Sequence, residues 1–195
     1  MRACGRFSSV KILLHVCCGP CASACVPVLK DCGHDVAMFY SNSNIAPEEE
    51  YAKRGENAAI LAAAEGVEIV QDSYDHADWL EKVAKGLENE PEKGARCARC
   101  FLYNLRRTAK YAREHGFDAF TTSLTVSPHK VSGVIFAAGA QAAKENGSKF
   151  VEADFKKKNG FLKSLARAAA LGLYRQSWCG CEFSMRKQHT AGKAD

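Results

Sequence analysis

Seven cysteines fall in three tight groups along the chain. Cys17-Cys18-Gly19-Pro20-Cys21 is the first, Cys97-Ala98-Arg99-Cys100 the second and Cys179-Gly180-Cys181 the third, while Cys4, Cys25 and Cys32 are scattered. Thiolates bind soft or borderline metals, and spacings this short let one backbone turn present two sulfurs to one centre. A zinc ion takes about four ligands, and a single iron–sulfur cluster takes four thiolates. Seven clustered thiols exceed either need. The surplus points to a cluster with a second metal, or to a cluster with a redox pair. Structural zinc and thiol redox chemistry are the competing readings. Cys25 and Cys32 suit a core, where a free cysteine behaves as a small hydrophobe. His15, inside an apolar run, reads as a satisfied core histidine rather than a ligand.

The elements that must position these thiols follow from periodicity. Residues 10–16, 36–40, 67–71, 119–124 and 150–153 are short apolar runs that read as five strands. Between them, residues 22–30, 48–65, 77–87, 95–115, 130–145 and 160–171 read as helices, most of them stopped by glycine. Alternating strands and helices predict an α/β fold with a parallel sheet and helices on both faces. Such sheets take ligands beyond the carboxyl ends of their strands, where the strand order reverses. Cys17 and Cys18 follow the first strand directly and so fall at that place. One domain is expected over residues 1–195, with the catalytic part over 10–185 and frayed ends at 1–9 and 187–195.

Composition excludes several classes. The 195 residues are 47% hydrophobic and 25% charged, which argues against general disorder. Ten cysteines are many, yet they sit among long regular patterns rather than in a short, loop-rich secreted scaffold. The apolar start at 10–16 is interrupted by Lys11 and His15 and is short for a secretory leader. No run reaches the ~18 apolar residues of a membrane span. A cytoplasmic protein with reduced thiols, and no membrane partner, is the expectation.

The formal charge of +5 permits a nucleic-acid partner without requiring one. Arg96, Arg99, Arg106, Arg107, Lys110 and Arg113 share the helix of Cys97 and Cys100, with Phe101 and Tyr103 interleaved. Lys156, Lys157 and Lys158 form a second basic stretch, and Tyr174, Arg175 and Trp178 precede the last cysteines. Phosphates call for such charges, and aromatic rings can stack on unpaired bases. A basic helix face is also commonly just solvated. Ser127-Pro128-His129-Lys130 follows the fourth strand and suits either an anion or an ordinary helix cap.

The motifs taken together resemble the cobalamin-independent epoxyqueuosine reductase family, the QueH type. The resemblance rests on His15-Val16-Cys17-Cys18-Gly19-Pro20-Cys21, on Asn44-Ile45 with Pro47, Glu50, Tyr51 and Arg54, and on Arg96-Cys97-Ala98-Arg99-Cys100-Phe101. Phe117-Asp118-Ala119-Phe120-Thr121-Thr122-Ser123-Leu124, Ser127-Pro128-His129-Lys130 and Tyr174-Arg175-Gln176-Ser177-Trp178-Cys179-Gly180-Cys181 continue it. It covers nearly the whole chain. It implies reduction of epoxyqueuosine to queuosine at wobble position 34 of tRNA, the last step of queuosine biosynthesis. It also implies a 4Fe-4S cluster with a mononuclear iron beside it, and a Rossmann-like sheet related to the PP-loop nucleotide hydrolases. Some relatives carry an acidic residue at the position of Cys21, so Cys21 is read as a ligand of the second metal.

On that resemblance Cys17, Cys18, Cys97, Cys100, Cys179 and Cys181, with Cys21, divide between two centres, in a partition that spacing leaves open. Asp72, Asp75, Tyr51 and His129 are candidates for the proton donor, and Asp72 could instead be a metal ligand. Tyr51 and Arg54, three apart on one helix face, either hold the nucleoside or brace a loop. Arg54, Arg99, Arg106, Lys130, Lys156, Lys157, Lys158 and Arg175 are the expected RNA contacts. The expected partners are tRNA carrying epoxyqueuosine and an electron donor such as ferredoxin or flavodoxin. The alternatives are a PP-loop-like tRNA thiolation enzyme with a cluster, and a zinc-braced RNA-binding module. The first would need a Ser-Gly-Gly-x-Asp-Ser-like loop where Cys17-Cys18-Gly19-Pro20-Cys21 stands.

Overall fold

The computed structural model describes residues 9–185, so Cys4 lies outside the described residues. Four parallel strands form the sheet: β1 (Lys11–Val16), β2 (Asp35–Tyr40), β3 (Ile69–Gln71) and β4 (Ala119–Thr122), in the order β3-β2-β1-β4. Alternation of side chains along β1 and β2 feeds two cores. Ile12, Leu14, Val16, Met38 and Tyr40 face one side and pack against α2 (Cys25–Asp31), α3 (Glu48–Glu65) and α7 (Gly160–Ala170). Leu13, Ala37 and Phe39 face the other and pack against α5 (Ala95–Glu114) and α6 (Ser132–Asn146). Each fully buried Leu or Ile in these layers contributes about 1.5–3 kcal/mol. The predicted α/β class, with helices on both faces of a parallel sheet, is the observed one.

The fifth strand is not formed. Residues 150–153 touch the sheet through a single bridge between Phe120 and Phe150. Further along, side chains replace the ladder: Thr121 Oγ1 donates to the Val151 carbonyl and Thr125 Oγ1 to the Ala153 carbonyl, both at 2.8 Å. β4 is likewise shorter than its apolar run, because residues 123–126 coil into a 3-10 turn, Ser123–Val126. The helix expected at 77–87 is a four-residue α4 (His76–Trp79) that continues as a π-turn, Leu80–Ala84.

The helix expected from residue 22 starts earlier. A short α1 (Gly19–Ala22) opens directly after Cys18, with Pro20 in its first turn, before α2. Here the backbone comes so close to α3 that a Cβ on Gly19 would lie 2.5 Å from the Asn57 carbonyl oxygen. Gly19→Ala is therefore expected to destabilise the fold by about 1–3 kcal/mol. A thermal melt of the metal-free protein checks this, and an unchanged midpoint would show that α1 and α3 separate freely.

Candidate metal centre

β1 stands where the strand order reverses, between β2 and β4, and its carboxyl end is built from buried polar contacts. Cys17 N–H donates to Ser123 Oγ at 3.3 Å, and Asn42 Nδ2 donates to the Val16 carbonyl at 2.8 Å. His15 is fully buried, with Nδ1 paired to Thr122 Oγ1 at 2.9 Å and Nε2 to the Ser41 carbonyl at 3.1 Å. Burial pushes its pKa down, which favours the neutral ring. It is the satisfied core histidine that the sequence suggested.

Three sulfurs meet at this end. The Sγ atoms of Cys17, Cys18 and Cys21 lie within 4.8 Å of one another, the only such set of possible metal ligands among the described residues. The Cys17 and Cys18 sulfurs are 3.8 Å apart. A tetrahedral metal bonded to two thiolates at about 2.3 Å separates them by about 3.8 Å. The set therefore has the spacing of one metal ion. Adjacent residues reach it because Cys18 has extended backbone and α1 turns Cys21 back toward the pair.

Cys97, Cys100, Cys179 and Cys181 form a wider set. No three of their sulfurs approach as closely as the first three do, yet they remain electrostatic neighbours. Burial foremost, then the sulfurs of Cys179 and Cys181, push the Cys100 thiol well up. The Cys97 and Cys181 thiols are likewise raised, by burial first and by Cys179 next among the sulfurs. α5 carries two of the four on its first turns. The others sit on a loop whose Gly180 carbonyl accepts from Ala46 N–H at 3.0 Å. Beneath them Trp79, Val83, Ala84 and Phe183 make a third apolar cluster with Cys181, against which Cys100 packs.

The donors around the sulfurs fit thiolates. Gln176 Nε2 lies 3.0 Å from Cys18 Sγ, the Lys93 backbone N–H 3.3 Å from Cys97 Sγ and Lys130 Nζ 3.8 Å from Cys179 Sγ. Asn104 Nδ2 and Ser123 Oγ stand 3.9 Å and 3.8 Å from Cys100 and Cys17. The buried Trp79 indole N–H has no hydrogen-bond partner among the described residues, and Cys100 packs against the apolar cluster that holds it. A buried donor left unpaired is costly, and a metal-bound thiolate is a ready acceptor. Within the first set, hydrogen bonds from Cys17 and Cys21 push the Cys18 thiol well below its ordinary value.

The family model described as Epoxyqueuosine reductase QueH matches residues 12–187. The chain belongs to the epoxyqueuosine reductase QueH family. It is 38% identical over 183 residues to epoxyqueuosine reductase QueH of Streptococcus pyogenes serotype M1, covering 91% of this chain and 71% of that one. It is 32% identical to the Thermotoga maritima protein of the same name, covering 91% and 93%. Among solved structures, the U34-tRNA thiolase NcsA from Methanococcus maripaludis with its [4Fe-4S] cluster matches with a TM-score of 0.58 at 10% identity. That match covers 93% of this chain and 64% of the thiolase, and it speaks for a shared fold.

Against this QueH framework, several residues picked from sequence have different surroundings from those expected. Asp72 is enclosed: Oδ2 accepts from Ser41 Oγ at 2.6 Å and from Arg107 Nε at 2.5 Å, while Oδ1 accepts from Ser73 N–H at 2.9 Å. Tyr51 is buried and donates its hydroxyl to the Asp72 carbonyl at 3.1 Å. Asp75 caps α4 by accepting from Asp78 N–H. His129 is exposed on the loop that carries Lys130, and among the described residues its ring has no hydrogen-bond partner. Arg54, expected to meet RNA, is 1% exposed and holds the cysteine loop from below. Arg106 is paired with both Glu145 oxygens, at 2.5 and 2.7 Å, and Lys156 Nζ donates to the Lys130 carbonyl at 2.6 Å. Arg99, Lys157, Lys158 and Arg175 are exposed.

Asn104 and Trp79 were not singled out from sequence, and Gln176 stood only within the family motif, with no role given to it. Asn104 had a local signal, since it lies one helical turn after Cys100. Trp79 had none, because only the packing of α4 against the Cys181 loop brings it near Cys100.

No helix among the described residues is long and apolar enough to cross a membrane.

Proposed function

We propose that this chain reduces epoxyqueuosine to queuosine at position 34 of tRNA, the last step of queuosine biosynthesis. The observation that carries the reading is the division of seven converging sulfurs into a close set of three and a wider set of four. A single ion draws its sulfurs together, whereas a cluster spreads them because each thiolate binds a different iron. Cys97, Cys100, Cys179 and Cys181 would hold a 4Fe-4S cluster, and Cys17, Cys18 and Cys21 a mononuclear iron. Bound there, these groups supply electrons one at a time and a Lewis acid for the epoxide oxygen. The related fold of a U34-tRNA thiolase that carries a [4Fe-4S] cluster supports the cofactor assignment.

The chain's own residues then do the rest. Gln176, Ser123 and the Lys93 N–H keep the thiolates oriented. Asp72 and Tyr51 brace the ends of β2 and β3 behind the site instead of moving protons. His129, free on the adjacent loop, is the remaining proton-donor candidate of that group. Arg99, Lys157, Lys158 and Arg175 form the exposed basic rim for the anticodon-loop phosphates, whose bases can splay toward the cysteines. An electron carrier of the ferredoxin or flavodoxin class supplies the two electrons.

Anaerobic purification followed by iron, acid-labile sulfide and zinc analysis tests this first. About four sulfides per chain, with iron above four, are expected. Incubation with epoxyqueuosine tRNA and a reductant should then yield queuosine on nucleoside digestion. Stoichiometric zinc without sulfide, persisting through reconstitution, would favour a zinc-braced RNA-binding module. The four exposed cations predict a slope of about −3 in a plot of log tRNA affinity against log salt. An affinity indifferent to salt would remove them from the interface.

A further inference from the structure

Lys130 sits on the loop after β4 and aims its ammonium into the site. Its Nζ is 3.8 Å from Cys179 Sγ, a member of the wider set. One positive charge thus stands beside the wider set of sulfurs.

The placement is built. Lys156 Nζ donates to the Lys130 carbonyl oxygen at 2.6 Å, and the Lys130 N–H donates to the Ser127 carbonyl at 3.3 Å. A lysine that only met phosphates would serve as well on the open rim, where Lys157 and Lys158 stand. Half-burying an ammonium costs free energy unless something negative offsets it. Here the offset comes from the sulfurs. A thiolate-ligated cluster gains one more unit of negative charge on reduction. A fixed cation a few ångströms away stabilises the reduced state more than the oxidised one.

We propose that Lys130 is a positioning residue whose fixed charge beside Cys179 raises the reduction potential of the cluster on Cys97, Cys100, Cys179 and Cys181. This rests on the cofactor reading given above. It assigns Lys130 to the cofactors rather than to the RNA.

The test compares the full-length wild type, Lys130→Met and Lys130→Arg, each loaded without oxygen. Iron and sulfide are counted, the midpoint potential is followed by spin resonance in a redox titration, and tRNA affinity is measured separately. Lys130→Met is expected to keep its sulfide and its tRNA affinity. Its midpoint should become more negative, corresponding to a roughly tenfold weaker hold on the added electron, about 59 mV for one electron. Lys130→Arg, which keeps the charge, should restore most of that shift. Loss of iron and sulfide in Lys130→Met but not in Lys130→Arg would support the same counter-charge, read at assembly. Three results would overturn the proposal: an unchanged midpoint in a fully loaded Lys130→Met, equal impairment of both variants, or lost tRNA affinity with the potential intact. Absence of sulfide from the wild type would instead sink the cofactor reading itself, so the two failures are distinguishable.

Discussion

Cys100→Ser is expected to strip acid-labile sulfide from the purified protein and to bring conversion of epoxyqueuosine tRNA below detection, while the chain stays folded. Cys100 sits on the second turn of α5, with Asn104 Nδ2 3.9 Å from its sulfur and the Trp79 cluster packed beside it. Serine keeps the volume nearly constant, so the packing against Trp79 and Phe183 survives. Its hydroxyl, however, is a hard and weakly acidic ligand where soft iron–sulfur chemistry needs a thiolate. Cys21→Ser should behave differently. It belongs to the close set, so it should lower iron by about one per chain and spare the sulfide. Both variants are checked by metal and sulfide analysis, circular dichroism and nucleoside digestion. Equal sulfide in wild type and Cys100→Ser would remove Cys100 from the cluster. Lost sulfide in Cys21→Ser would merge the two sets into one.

Arg54→Gln should cost both stability and cluster, although Arg54 touches no sulfur. The guanidinium is buried. Nε pairs with Glu50 Oε1 at 2.7 Å, Nη1 donates to the Cys179 carbonyl at 3.0 Å, and Nη2 reaches the Trp178 carbonyl at 3.4 Å. Its plane also lies over the Trp178 ring at 5.1 Å. Gly180 completes the packing: its φ is 116°, and a Cβ there would lie 2.9 Å from Arg54 Nη1. Removing the charge leaves a nearly buried Glu50 carboxylate with only the Tyr174 hydroxyl beside it, a loss of about 3 kcal/mol. For a chain of this size that lowers the melting midpoint by roughly 10 °C. The loop bearing Cys179 and Cys181 loses its anchor at the same time, so sulfide content should fall. Removing both partners, as Arg54→Met with Glu50→Met, should recover most of the melting temperature without recovering the sulfide. Full sulfide in Arg54→Gln would show that the loop holds its shape unaided.

These outcomes separate what is local from what is not. β1 and β2 were legible because a short apolar run between turn residues leaves few alternatives. α3 was legible to the residue, Glu48–Glu65, because its acidic start and glycine stop are both written in the chain. The 150–153 run failed as a strand because the hydroxyls of Thr121 and Thr125, distant in sequence, claim its carbonyls. Arg54 and Lys156 looked like RNA contacts for a related reason: a sequence shows a charge but not the acid or carbonyl that occupies it.

The sequence by itself determined that thiols gather in three groups and that the first follows a strand at the ligand-binding end of a parallel sheet, since spacing within a segment is set by backbone geometry. Only the tertiary structure decided which groups meet. Strand order places Cys17, Cys18 and Cys21 at the reversal point, and the packing of α5 against the Trp79 cluster brings Cys97 and Cys100 to the Cys179–Cys181 loop. Distances between segments come from how layers pack, and no spacing along the chain encodes them.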